Sequence, residues 1–147
     1  MNTQLIQQSI LPWIGKTGKM LHVYMAEKFK EHHHELTFQQ ALILKILYDE
    51  DGQPQQNLAL VTDRHKASLT RIIGSMERKN LVARIPDTSD GRVNRIFLTT
   101  KGRKYYQSML PIIEEAIHEI HESLDASEVA QLIKTLKKVQ HNIHKKL

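Results

Sequence analysis

The sequence contains no cysteine. That excludes disulfides, thiolate metal sites, a cysteine nucleophile and any thiol-based redox switch. No apolar run approaches the ~20 residues of a membrane-spanning helix, so no membrane partner is expected. Met1 to Gln8 lack the basic start and continuous apolar stretch of a signal peptide. Together these absences predict a cytoplasmic setting. There is no Gly-rich phosphate loop and no nucleophile elbow, so an enzyme is not expected, and neither a cofactor nor a metal is called for. Internal repeats, low-complexity tracts and linkers rich in Pro, Gly or Ser are also missing, which predicts one domain over residues 1–147. What is present is a globular composition, 40% hydrophobic and 25% charged. A chain of this size buries a real core, and many such domains gain further burial by dimerising.

The charge is unevenly placed. Between Asp63 and Lys104 stand eleven basic and four acidic residues, a local excess of +7, while the rest of the chain carries −2. A positive field concentrated in one central segment is the footprint of a polyanion partner, although basic surfaces are common enough that charge alone does not decide it.

Periodicity divides the chain further. Leu5 to Lys30 reads as one long helix, with Pro12, Gly15 and Gly18 as points where it bends or divides. Thr37 and Gln40 form a capping box ahead of the nearly continuous apolar run Leu42–Leu47. Asp51-Gly52-Gln53-Pro54 breaks the chain, and Gln55 to about Thr62 reads as a short third helix. Over Lys66–Lys79, Leu69, Ile72, Ile73 and Met76 make a narrow apolar stripe, opposite Ser68, Thr70, Arg71, Ser75 and Arg78. Asn80 stands where a helix C-cap wants a residue tolerant of left-handed backbone. Leu81–Ile85 and Val93–Leu98 read as two strands around the turn-forming segment Pro86–Arg92, a β-hairpin with a basic tip. Thr99 caps a long helix that runs past Pro111 into the 120s. Asp125 and Glu128 open the last helix with a second capping box.

Two short helices joined by a tight turn and followed by a hairpin make a winged helix-turn-helix. The expected fold is therefore mainly α with a small β-wing. Such a helix fits the major groove of duplex DNA, with its N-terminal residues at base edges. Those residues here are Ala67, Ser68, Thr70 and Arg71, with Ser75 on the same face. Arg64 and Lys66 in the turn suit phosphates. Arg92 at the wing tip suits the narrow minor groove, braced by Asp90. Arg95, like Arg84, lies on a wing strand, where a phosphate contact and an ion pair with Asp87 or Asp90 are equally open.

The runs Leu58-Ala59, Ser68-Leu69-Thr70-Arg71, Glu77-Arg78-Lys79-Asn80-Leu81-Val82-Ala83-Arg84, Asp90-Gly91-Arg92 and Leu98-Thr99-Thr100-Lys101-Gly102 resemble the MarR family of bacterial transcriptional regulators. The resemblance spans the chain. It departs at Asn80, where the family has glycine, and in the more charged turn Thr62–Lys66. The absence of cysteine sets aside the family's peroxide-sensing members. The resemblance implies a homodimer that interlocks N- and C-terminal helices, residues 1–30 and 105–147, around DNA-binding lobes of about 35–104. It further implies a pseudo-palindromic operator and a repressor released by a small anionic or aromatic effector.

Trp13, Lys16, Met20 and Tyr24 are candidates for lining an effector pocket, although core packing or a dimer seam explains the apolar ones equally well. His32-His33-His34 and the i, i+3 pairs His118/His121 and His141/His144 leave open a zinc-responsive version of the same scaffold. The glutamates interleaved with His118 and His121 also fit plain surface charge pairing. A non-catalytic module for RNA or another protein, using the same basic face, is the alternative from a different class.

Overall fold

The computed structural model describes residues 3–59 and 66–147. The chain forms two compact units, residues 1–112 and 113–147. The first begins with α1 (Thr3–Gln8), α2 (Leu11–Glu31) and α3 (Phe38–Asp49). A two-residue strand β1 (Gln53–Pro54) leads into a 3₁₀ turn (Gln55–Leu58). Then come α4 (Lys66–Arg78), β2 (Val82–Pro86) and β3 (Asn94–Leu98). Helix α5 (Thr100–Ile120) starts in the first unit and ends in the second, which also holds α6 (Ala126–His144).

The single long first helix expected from periodicity is two helices, and the division falls ahead of Pro12. The Ser9 hydroxyl donates to the Ile6 carbonyl (2.8 Å) and accepts the Leu11 N–H (3.3 Å), closing one helix and opening the next. Pro12 then sits in the first turn of α2, where its missing N–H removes no helical bond.

The end of α2 explains the histidine run. His33 has φ 61°, and its N–H donates to the Lys30 carbonyl (3.0 Å) while the His34 N–H donates to that of Phe29 (2.8 Å). This is a Schellman stop built without glycine. The His34 ring then packs edge-on against Tyr105 at 5.0 Å. Burial, and secondarily the neighbouring His32, push the His34 pKa below its ordinary value.

Helix α3 opens with the expected capping box, Thr37 and Gln40 exchanging bonds of 3.1 and 3.2 Å. Ile43, Leu44 and Leu47 are fully buried, each worth roughly 1.5–3 kcal/mol of transfer free energy. Phe29, Leu58, Leu69, Ile73, Met76, Leu81, Ile96 and Met109 are fully buried as well.

Helix α4 ends in a second Schellman stop. Asn80 has φ 57°, its N–H donates to Glu77 (2.8 Å), and the Leu81 N–H reaches back to Met76 (3.0 Å). The expected hairpin follows, each strand starting one residue later than the apolar pattern suggests, with Val82 opposite Leu98 and Pro86 opposite Asn94. A third strand joins it. β1 pairs with the other side of β3, giving the antiparallel order β1-β3-β2. Pro54 is tolerated there because β1 lies at an edge. Of the expected third helix, the described part is the 3₁₀ turn and the α-helical Ala59; residues 60–65 lie outside the described residues.

Thr99 caps α5 by accepting the Gly102 N–H at its Oγ1 (2.9 Å), and the same hydroxyl meets the Asn80 carbonyl at 2.6 Å. A Cβ on Gly102 would lie 2.0 Å from the Leu81 carbonyl oxygen, so this close approach requires glycine. As expected, α5 runs through Pro111. In the second unit, Asp125 and Glu128 form the expected capping box of α6.

Candidate nucleic-acid interface

Helix α4 presents two unlike faces because its apolar residues fall at helical spacing. Leu69, Ile73 and Met76 are buried, while Lys66, Ala67, Thr70 and Arg71 are exposed and Ser68 and Ser75 are half-buried. The polar side chains are already partly ordered. Thr70 Oγ1 donates to the Lys66 carbonyl (2.9 Å) and accepts from Gln55 Nε2 (3.2 Å). Arg71 Nη2 leans toward Ser68 Oγ at 3.5 Å. Arg64 lies outside the described residues.

The wing is organised by its carboxylates. Asp87 accepts the N–H groups of Ser89 and Asp90 (3.0 Å each) and the Arg95 guanidinium. The Arg95 bond, aided by the Asp90 amide, holds the Asp87 carboxyl below its usual pKa. Arg95 also donates to the Gly52 carbonyl (2.9 Å), tying the wing to the loop after α3. Asp90 Oδ1 accepts both the Arg92 N–H and Arg92 Nε at 3.1 Å, while the Arg92 side chain stays 92% exposed. An exposed pair of this kind is weak and releases its cation readily to a stronger anion.

Arg84 differs from both. Its Nη2 meets Glu77 Oε1 of α4 at 3.1 Å, and its side chain is 23% exposed. Of the two alternatives left open for the strand arginines, Arg95 forms the ion pair with Asp87, whereas Arg84 pairs with Glu77, an acid that neither alternative named. Together α4, the 3₁₀ turn and the wing enclose a hollow of about 450 Å³ lined by Gln55, Lys66, Thr70, Arg84, Arg92 and neighbouring residues.

Periodicity did not flag several residues that shape this surface. Gln55 steadies Thr70 across fifteen residues. Asp51 accepts the Leu98 N–H (2.8 Å) and lies 3.6 Å from Arg103, fixing the end of β3. In the sequence both stand beside the Gly52-Gln53-Pro54 breaker, which signals a turn and nothing about partners.

Away from this surface, Lys16, Met20 and Tyr24 do share a shallow apolar hollow on α2 with Lys19 and Val23. Trp13 is 66% exposed on the same helix and is not part of its lining. Among the described residues no group of three or more His, Asp or Glu side chains converges as a metal site would require. Among them, too, no helix is long and apolar enough to cross a membrane.

Residues 36–93 match the model of the MarR family. A MarR transcriptional regulator from Methanosarcina mazei Go1 is similar at 27% identity, covering 92% of this chain and 99% of that one, with a TM-score of 0.77. The transcriptional regulator BldR from Sulfolobus solfataricus is 21% identical, covering 97% and 99%, with a TM-score of 0.82. MepR of S. aureus, solved in complex with DNA, is 23% identical, covering 92% and 98%, with a TM-score of 0.78. The matched residues run from just before α3 through β2 to the wing tip, and the chain has the winged helix-turn-helix fold of the transcriptional regulators to which it is similar.

Proposed function

We propose that this chain is a non-catalytic, cytoplasmic transcriptional regulator that binds duplex DNA as a homodimer. In this reading α4 enters the major groove, with Ala67, Ser68, Thr70 and Arg71 at base edges and Ser75 farther along. Lys66 and Arg64 meet phosphates. Arg92, carried by Asp90, enters the minor groove. The observation that carries the reading is the pairing of an exposed polar helix face with a braced, exposed arginine at the wing tip, both within the most basic segment of the chain. MepR, of the same fold, was solved with DNA. Arg95, engaged with Asp87 and Gly52, serves in this reading to hold the wing rather than to reach DNA.

Dimerisation is supported by apolar surface that each unit leaves uncovered. Leu5, Leu11, Trp13, Met20 and Val23 are each more than half exposed on α1 and α2, as are Leu132 and Ile143 on α6. A second copy covering these residues gives a two-fold regulator and a pseudo-palindromic operator. The hollow at Lys16, Met20 and Tyr24, apolar with a cationic edge, supports release of a repressor by a small anionic or aromatic effector.

Selection of bound duplexes from a random pool tests the reading. A two-fold symmetric site with half-sites about 10 base pairs apart is expected. Tighter binding of single-stranded RNA than of any duplex, or no duplex binding at low ionic strength, overturns it.

A further inference from the structure

Each of the three arginines on the wing has its own acidic partner, and the three pairs differ in what they join. Arg92 pairs with Asp90 at the tip, and Arg95 pairs with Asp87 at the edge of the turn. Both pairs stay within the wing. Arg84 reaches out of it, to Glu77 in the last turn of α4. It stands in the middle of β2, opposite Ile96 of β3, two residues beyond the foot of the wing at Val82.

From this geometry we infer that the Arg84–Glu77 ion pair is a strut that sets the angle between the wing and α4, so that both are positioning residues for the DNA binding proposed above, on which this inference rests. Three observations carry it. Lys79-Asn80-Leu81, bent by the left-handed Asn80, and the shared core of Met76, Leu81, Val82 and Ile96 fix the foot of the wing on α4, and the Arg84–Glu77 bridge joins β2 to α4 beyond that foot. Arg84 is directed inward: its side chain is 23% exposed against 92% for Arg92, and it lines the hollow beside Thr70 and Gln55. Its Nε is buried and has no hydrogen-bond partner among the described residues. A guanidinium held by one end, with a donor left unsatisfied, is a poor device for stability. A cation meant to reach DNA directly would stand in solvent, as Arg92 does.

The experiment is a charge swap with two readouts. In the free protein, amide hydrogen exchange is followed across residues 82–86 and 94–98 for Arg84→Glu, Glu77→Arg and the double variant. Each single change is expected to speed exchange there, and the double to return it toward the wild-type rate. Binding is then measured to the duplex that wild type selects from a random pool and to a mixed-sequence duplex. Glu77→Arg adds positive charge, yet it is expected to weaken binding to the selected duplex by about tenfold, with the double variant recovering most of the loss. Arg84→Gln and Arg92→Ala are expected to combine less than additively, since the strut acts through the wing tip.

Three results overturn the strut: unchanged exchange in the single variants, tighter selected-duplex binding by Glu77→Arg, or a double variant no better than Arg84→Glu. The last assigns Arg84 to phosphate directly. Should the swapped chains fail to fold, Arg84→Gln and Glu77→Gln carry the same exchange and binding comparison. If wild type binds no duplex at all, the proposed function falls, while the exchange result still decides the strut.

Discussion

Arg92 and Arg84 illustrate how far single residues are legible. Asp90 and Arg92 are two apart in a turn, so their pairing follows from local chain geometry, and the structure shows both the backbone and the side-chain bond. Arg84 and Glu77 are seven apart across a helix stop, and no local rule pairs them. Arg71→Ala is expected to cost about 1–3 kcal/mol on the selected duplex and to relax sequence preference. Equal weakening on mixed DNA would make Arg71 a phosphate ligand. Arg92→Ala is expected to lower affinity and flatten the salt dependence of binding, one phosphate-region cation having been lost. An unchanged affinity at moderate salt removes the wing from the interface. Gly102 was legible as part of a motif, but its reason lies in the Leu81 carbonyl 2.0 Å from where a Cβ would stand. Gly102→Ala is therefore expected to destabilise by roughly 1–3 kcal/mol in urea unfolding, since α5 must shift to admit the methyl group.

At the scale of elements, starts and stops were the most readable features. Thr37/Gln40, Asp125/Glu128 and Asn80 are local signals, and each does locally what its chemistry requires. β1 was not readable, because two residues carry no periodicity and its pairing with β3 is set by partners more than forty residues away. The split between α1 and α2 was misplaced because Ser9, not proline or glycine, makes the break. Within the stop that ends α2, His34 yields a pH prediction. Its pKa is lowered in the folded chain. Above about 6.5 both folded and unfolded forms are neutral, and nothing is gained or lost. As pH falls through that value the unfolded chain takes up the proton first, so stability decreases toward the lower folded pKa. His34→Phe, which keeps a ring against Tyr105, is expected to remove this part of the acid sensitivity. Urea unfolding at pH 7.5 and 5.5 compares the two, these values bracketing the ordinary histidine range. An identical loss in both proteins would show that His34 contributes none of it.

For the whole molecule the residue pattern is informative about class, while the expected homodimer comes from the family resemblance alone. An amphipathic pattern says that a helix has an apolar side, not which surface covers it. Leu132 and Ile143 occupy apolar positions of α6 yet are 56% and 53% exposed. Sedimentation is expected to show a dimer, and Leu132→Lys to shift the population toward monomer with a parallel loss of duplex affinity. Sedimentation as a monomer by wild type would leave these faces unexplained and the two-fold operator without a basis.

One peptide group has a consequence for motion. The Leu81 carbonyl receives the Thr99 N–H at 3.1 Å and also meets the Thr99 hydroxyl, while Gly102 presses its bare Cα against the same oxygen. Both feet of the hairpin thus stand on a single bolt. Thermal sway is expected to grow toward Gly91 and to be least at the feet. Proteases and inserted residues are therefore expected to find entry at the outer end, while even one added residue beside Leu81 or Thr99 would unseat the flap as a whole.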